Sequence, residues 1–227
     1  MAQIYFDGTQ LPEAKRRYVA FVDIMGTKAH MTKSTVTAAN FIFKLHAAVL
    51  DAWRNEKYQD VFVYPVMDGA YITAARKEDI EKIIVRVFSG IAELQIKEQN
   101  PVHRFVIRGS IAFGEVIHGH QVPYSASKVF ETDLGYKNNI LLGPAMILAY
   151  SGEGNAAPFG IYIDSSAVDH GNGRGLSTNW KWYESKVLKI EDGINNKLCE
   201  AVLGYFNATS GDPKLDEHKR LLEEYLT

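Results

Sequence analysis

The order of apolar patterns along the chain limits its fold more than any other feature. Tyr18-Val19-Ala20-Phe21-Val22-Asp23-Ile24 is rich in β-branched and aromatic residues and stops before Gly26, as a buried strand does. Val36, Phe41, Ile42, Leu45, Val49 and Trp53 then lie on one face of a helix over about 36–54. Two strand-like runs, 61–67 and 70–74, flank Asp68-Gly69, a strong hairpin signal; Pro65 argues against a central position for the first of them. Ile80, Ile83, Ile84, Val87, Phe88, Ile91 and Leu94 form a second helical stripe. Strands follow at 105–113 and 115–117 with Gly114 as a turn, then a loop over about 119–138, a helix over 140–150 and a strand over 159–163. The rest reads as a Gly/Asn/Ser-rich loop over 165–180, a strand over 182–190 and a terminal helix over 215–226.

The opening β-α-β-β-α-β order is that of the ferredoxin-like α+β fold, an antiparallel sheet with helices on one face, here with additional strands and helices. Residues 1–17 read as a polar N-terminal arm and 18–227 as a single domain. A chain of 227 residues needs no staple, since at this size folding buries roughly 70% of the surface that the unfolded chain exposes.

A formal net charge of −2, from 25 basic and 27 acidic side chains, argues against nucleic acid or a membrane surface as the main partner. Cys199 is the single cysteine, so no internal disulfide forms and a reducing compartment is expected. No signal-type segment and no run of about 18 apolar residues is present. The expectation is a soluble cytoplasmic protein.

Asp23 ends the first strand and Asp68 lies in the hairpin turn, 68 − 23 = 45 residues later. Singly, each has an ordinary reading as turn chemistry or a cap. In this topology, however, the end of the first strand lies beside the hairpin turn and the two carboxylates meet. Like charges repel, and an unpaired buried carboxylate is costly. A hard divalent cation resolves the conflict: Mg²⁺ typically takes one or two carboxylates and completes its shell with substrate phosphates.

Phe21-Val22-Asp23-Ile24-Met25-Gly26, Val66-Met67-Asp68-Gly69-Ala70-Tyr71-Ile72, Ile107–Gly114 and Leu141-Leu142-Gly143-Pro144-Ala145 resemble the catalytic domain of class III nucleotidyl cyclases, over roughly residues 18 to 165. The resemblance implies two Mg²⁺ or Mn²⁺ ions per site, held by Asp23, Asp68 and the Ile24 carbonyl. Gly26, Thr27 and Lys28 would lie near the triphosphate, although the family usually has an aromatic residue where Thr27 stands. The implied reaction is attack of a 3′-hydroxyl on the α-phosphate with release of pyrophosphate. It would take place in a homodimer with sites at the interface.

The chain departs from the family at the base. Purine cyclases commonly place a lysine and an aspartate where Tyr64 and Ile140 stand, and the family's transition-state asparagine and arginine would fall at Ile147 and Ser151. A tyrosine can stack on a ring and offer its hydroxyl to a pyrimidine edge. In this the chain is similar to the bacterial pyrimidine cyclases of Pycsar antiphage systems. That likeness implies UTP as substrate ahead of CTP, and a cyclic product read by a separate effector protein. The alternatives are an ATP or GTP cyclase with an atypical base pocket and a non-catalytic nucleotide-binding dimerisation module.

Transition-state charge still requires a cation. Alternation puts Arg108 with Ser110 and Ala112 on the face opposite Phe105, Ile107 and Ile111, which makes Arg108 the catalytic candidate beside Asp23 and Asp68. Lys186, with Lys189 nearby, is a candidate phosphate lysine by the same resemblance. His118 and His120 read as surface loop, and Asp164 and Asp169 as loop chemistry.

Overall fold

The computed structural model describes residues 5–55, 58–168, 179–209 and 214–227; Asp169 lies outside them. In chain order the elements are β1 (Lys15–Ile24), α1 (Thr27–Lys33), α2 (Thr35–Arg54), β2 (Val61–Val66), β3 (Gly69–Ala74), α3 (Lys77–Lys97), β4 (Ile107–His118), α4 (Val129–Thr132), α5 (Leu134–Asn138), β5 (Leu141–Leu142), α6 (Pro144–Glu153), β6 (Ile161–Ile163), β7 (Asn179–Trp180), α7 (Ile194–Ala208) and α8 (Leu215–Leu226). The sheet order is β2-β3-β1-β4-β6-β7, with β5 paired to β4. This is the expected α+β core with its β-α-β-β-α-β start.

β1 holds the centre because both of its faces are apolar. Ala20, Val22 and Ile24 join the large core with Phe41, Leu45 and Val49 of α2 and Ile80, Ile84, Phe88 and Ile91 of α3. Val19 and Phe21 join a smaller cluster on the other face with Tyr64, Tyr71, Ala112 and Val116. The stripes read from the sequence are the faces that α2 and α3 bury. Ser34 starts α2 by accepting a hydrogen bond from the Thr37 N–H at 3.2 Å, which satisfies a donor the helix leaves open. Pro65 is tolerated because β2 is an edge strand.

Several expectations need correction. β1 begins at Lys15, inside the expected arm, because Arg17 is buried and ion-paired to Asp60 at 2.5 Å. Gly114 makes no turn: β4 runs unbroken from Ile107 to His118, and Gly114 pairs with Arg17. Gly114 lies under α6, where a Cβ would make ordinary contact with that of Ala145 at 3.5 Å. Helices are not confined to one face, since Ala145 and Ala149 of α6 pack on the smaller cluster. The expected 140–150 helix is β5 followed by α6. The expected 182–190 strand is a short 3₁₀ turn, Trp182–Glu184, and then irregular chain, with the Trp182 ring in the main core. α7 was not anticipated, yet Ile194, Leu198, Val202 and Tyr205 are buried at helical spacing.

The hairpin differs by one residue from the Asp-Gly turn expected. Val66 pairs with Gly69, so Met67 and Asp68 form the turn and Gly69 opens β3. Gly69 is required by proximity, because a Cβ there would sit 2.6 Å from the Val22 carbonyl and 3.2 Å from an Asp23 carboxylate oxygen. Gly69→Ala is expected to destabilise the fold by about 1–3 kcal/mol through overpacking, read as a lower urea midpoint. An unchanged midpoint would mean that β1 and β3 are further apart than described.

Candidate active site

The register of the three central strands assembles the site. Asp23 pairs with Gly69 of β3 on one side and with Arg108 of β4 on the other. Asp68, one residue before Gly69, therefore stands beside Asp23. The hairpin is tied down from α2, where His46 Nε2 bonds the Met67 carbonyl at 3.2 Å. Asp23 and Arg108 project from the α6 face of the sheet, as strand alternation requires. Asp23, Asp68 and Arg108, nominated from the sequence, are thus brought together.

Glu153 joins them, and the sequence reading did not single it out. Its carboxylate is buried and forms an ion pair with Arg108 Nε. One signal was available: Glu153 is the only charged residue between Lys137 and Asp164, and a lone charge at the end of an apolar helix asks for a partner.

Burial, with the charges of Asp68 and Glu153, pushes the Asp23 carboxyl up to about 7; the Ile24 N–H and Arg108 pull the other way. Burial also raises Glu153, against the pull of Arg108. Three carboxylates with one guanidinium leave the site with uncompensated negative charge. Among the described residues, no three His, Cys, Asp or Glu side chains converge on one metal position. Two hard oxygen donors backed by excess negative charge fit a divalent ion that draws its remaining ligands from phosphates. The Ile24 carbonyl accepts the Thr27 hydroxyl at 2.9 Å, which uses one of its two lone pairs.

The phosphate-side residues are placed unevenly. Gly26 takes the left-handed conformation, φ 74°, as the N-cap of α1. Thr27 is buried and Lys28 is exposed. Lys186 and Lys189 are exposed in the irregular chain after β7, and β4 and β6 separate β7 from β1. Asp164 serves its loop, as expected, by accepting the Ser166 N–H at 2.8 Å.

At the base-reading positions, Tyr64 is 2% exposed and its hydroxyl is bonded to His118 Nδ1. Ile140 is half-buried, and its carbonyl accepts the Gly119 N–H at 2.8 Å. His118 is fully buried rather than in a surface loop, because β4 extends to it and it pairs with Leu141 of β5. Burial, followed by Arg17 and His120, lowers His118 to about 4. The ring is therefore neutral at pH 7, and the Tyr64 hydroxyl shares one hydrogen bond with its Nδ1. A hollow of about 710 Å³ beside β2, lined by His46, Trp53, Phe62, Tyr64 and His120 among others, includes neither Asp23 nor Asp68 nor Arg108.

No protein-family model matches the sequence, and no curated protein matches it significantly. Solved structures do match. The guanylyl cyclase domain of the RhoGC fusion protein from the aquatic fungus Blastocladiella emersonii, as a monomeric double mutant, has a TM-score of 0.50 at 17% identity, covering 68% of this chain and 84% of that one. The fold is that of the class III nucleotidyl cyclase catalytic domain. A dimeric structure of the fungal domain gives 0.50 at 16%, covering 68% and 83%. A bacterial light-regulated adenylyl cyclase gives 0.51 at 14%, covering 68% of this chain and 44% of that one. Among the described residues no helix is long and apolar enough to cross a membrane.

The crowding at Asp23 has a measurable consequence. Its folded pKa of about 7 exceeds the ordinary 3.8, so between these values the folded state keeps a proton that the unfolded state releases. Stability therefore falls as pH rises through that window and levels off above it. In chelator, Asp23→Asn is expected to raise the melting temperature, with a gain that grows from pH 4 to pH 7 and then stays constant. Added Mn²⁺ should stabilise the wild type more than the variant. Equal melting curves at pH 8 would contradict the crowded-carboxylate geometry.

Proposed function

We propose that this chain is a metal-dependent nucleotidyl cyclase. It converts a nucleoside triphosphate to the 3′,5′-cyclic monophosphate and pyrophosphate. The observation that carries the reading is the register Gly69–Asp23–Arg108, which sets two carboxylates and a guanidinium side by side at one end of a cyclase-type sheet. Asp23, Asp68 and the Ile24 carbonyl would hold two Mg²⁺ or Mn²⁺ ions. Bound there, the metals make the attacking hydroxyl more acidic and offset the charge developing on phosphate.

The chain's own residues do the rest. Asp23 and Asp68 would hold the metals and so set where a triphosphate can sit. The turn at Gly26, with Thr27 and Lys28, borders the phosphates. As O3′ bonds to the α-phosphorus and the bond to pyrophosphate breaks, Arg108 supplies positive charge to the phosphoryl oxygens. Asp23, its carboxyl raised to about 7 by burial and by the charges of Asp68 and Glu153, would be a proton-sensitive member of the pair that holds the metals.

The substrate reading is a pyrimidine triphosphate, UTP ahead of CTP. It is supported by the lack of a lysine at Tyr64 and of an aspartate at Ile140, the side chains that read a purine in the family. With its hydroxyl on His118, Tyr64 would act as a neutral wall and not as a donor to the base. The protein would work as a homodimer. Ile147, Leu148 and Tyr150 are exposed on α6, and Met67 is 86% exposed at the hairpin tip, surfaces that a partner copy would cover. The cyclic nucleotide would act through a separate effector, in the manner of an antiphage messenger made in the cytoplasm.

The test is a panel of ATP, GTP, CTP and UTP with Mn²⁺, products resolved by mass. Cyclic UMP is expected to dominate. Asp23→Ala and Asp68→Ala should each reduce turnover by about a hundredfold or more. A purine product alone would overturn the pyrimidine assignment, and no product from any nucleotide would overturn cyclisation.

A further inference from the structure

We propose that Glu153 is a positioning residue for Arg108: it takes the Nε–H of the guanidinium and so presents the other edge to the phosphates at Asp23 and Asp68. This rests on the reading of the aspartate pair as a metal–triphosphate site.

The position of Glu153 is costly. A carboxylate in the last turn of a helix opposes the helix dipole, and Glu153 ends α6. It is also only 8% exposed, and burying a charge is unfavourable unless it is paired. Among the described residues it does not converge with Asp23 and Asp68 on one metal position. The one hydrogen-bonding partner of its carboxylate among them is Arg108 Nε.

Three features hold Glu153 in place. Ser110 donates its hydroxyl to the Ala149 carbonyl and pins the last turn of α6 to β4. Gly152 lies so close to the sheet that a Cβ there would be 3.0 Å from the Tyr162 ring and 3.3 Å from Ser110. Phe21 and Tyr150 pack with ring centroids 5.3 Å apart. A fixed carboxylate therefore meets a side chain that is otherwise long and mobile. Among the described residues the Arg108 Nη groups have no hydrogen-bond partner, so four N–H donors remain for phosphate oxygens. Holding the guanidinium in advance removes rotamer freedom that binding would otherwise have to remove.

The sign of the effect separates positioning from plain charge. Removing an anion near a triphosphate should tighten binding if Glu153 merely repels it, and loosen binding if Glu153 holds Arg108. The experiment is calorimetry of inorganic tripolyphosphate with Mn²⁺, run beside turnover of the preferred nucleotide. Glu153→Ala should weaken tripolyphosphate binding and lower kcat by about tenfold, the usual scale for removing a supporting partner. Glu153→Gln, which keeps the acceptor oxygen, should recover most of both. In an Arg108→Ala background, Glu153→Ala should add less than about twofold, because the two residues act as a unit. Equal or tighter tripolyphosphate binding by Glu153→Ala, or full additivity with Arg108→Ala, would overturn the proposal. Cyclisation is judged separately: if the wild type binds tripolyphosphate but makes no cyclic product, only the cyclase reading fails. A wild type that does not bind tripolyphosphate fails both.

Discussion

The site depends on the antiparallel pairing of β1 with both of its neighbours. β1 pairs with β3 in the register Asp23↔Gly69 and with β4 in the register Asp23↔Arg108. A slip of one residue would turn every β1 side chain to the opposite face, carrying Asp23 into the core beneath α2 and α3 and Val22 into the site. The register is secured because both faces of β1 are apolar with different neighbours: Ala20, Val22 and Ile24 fill the main core while Val19 and Phe21 fill the smaller cluster. The energy of that packing holds one half-buried acid where it is least comfortable.

The second dependency is α6, which among the described residues is the helix that packs on the site's face of the sheet. It lies close because β4 offers small residues beneath it: Ser110, Ala112 and Gly114. Close approach turns an apolar helix into a lever that brings Glu153 to Arg108. Fold and site are therefore not separable along this edge. The small residues that permit packing also decide how far the helix's charged end reaches.

Much of this was legible from residue patterns. The helical stripes of α2 and α3, the hairpin, the β-α-β-β-α-β order and the place of Asp23 and Asp68 all follow from spacing, because each rests on local periodicity. The side of β4 that carries Arg108 follows from alternation. The misreadings share a cause: each concerns a residue whose role is set by a distant neighbour. Gly114 resembles a turn until Ala145 is seen above it. His118 resembles a surface histidine until Leu141 and Tyr64 enclose it. Lys15 to Arg17 resemble a charged arm until Asp60 pairs with Arg17. Tyr64 resembles a free hydroxyl until His118 is seen to engage it.

By itself, the sequence determined the strand and helix periods, the two acids at a strand end and a hairpin turn, and the lack of a purine-reading lysine and aspartate. These are matters of residue type and short-range spacing. Tertiary structure alone decided how deeply the Asp23 carboxyl is buried beside Asp68, that α6 covers this face of the sheet, and that Glu153 joins them from a helix 45 residues further along the chain than Arg108. The reason is physical. Periodicity says which way a side chain points, but only the packing of α6 against β4 says what it meets there, and electrostatic energy depends on that meeting.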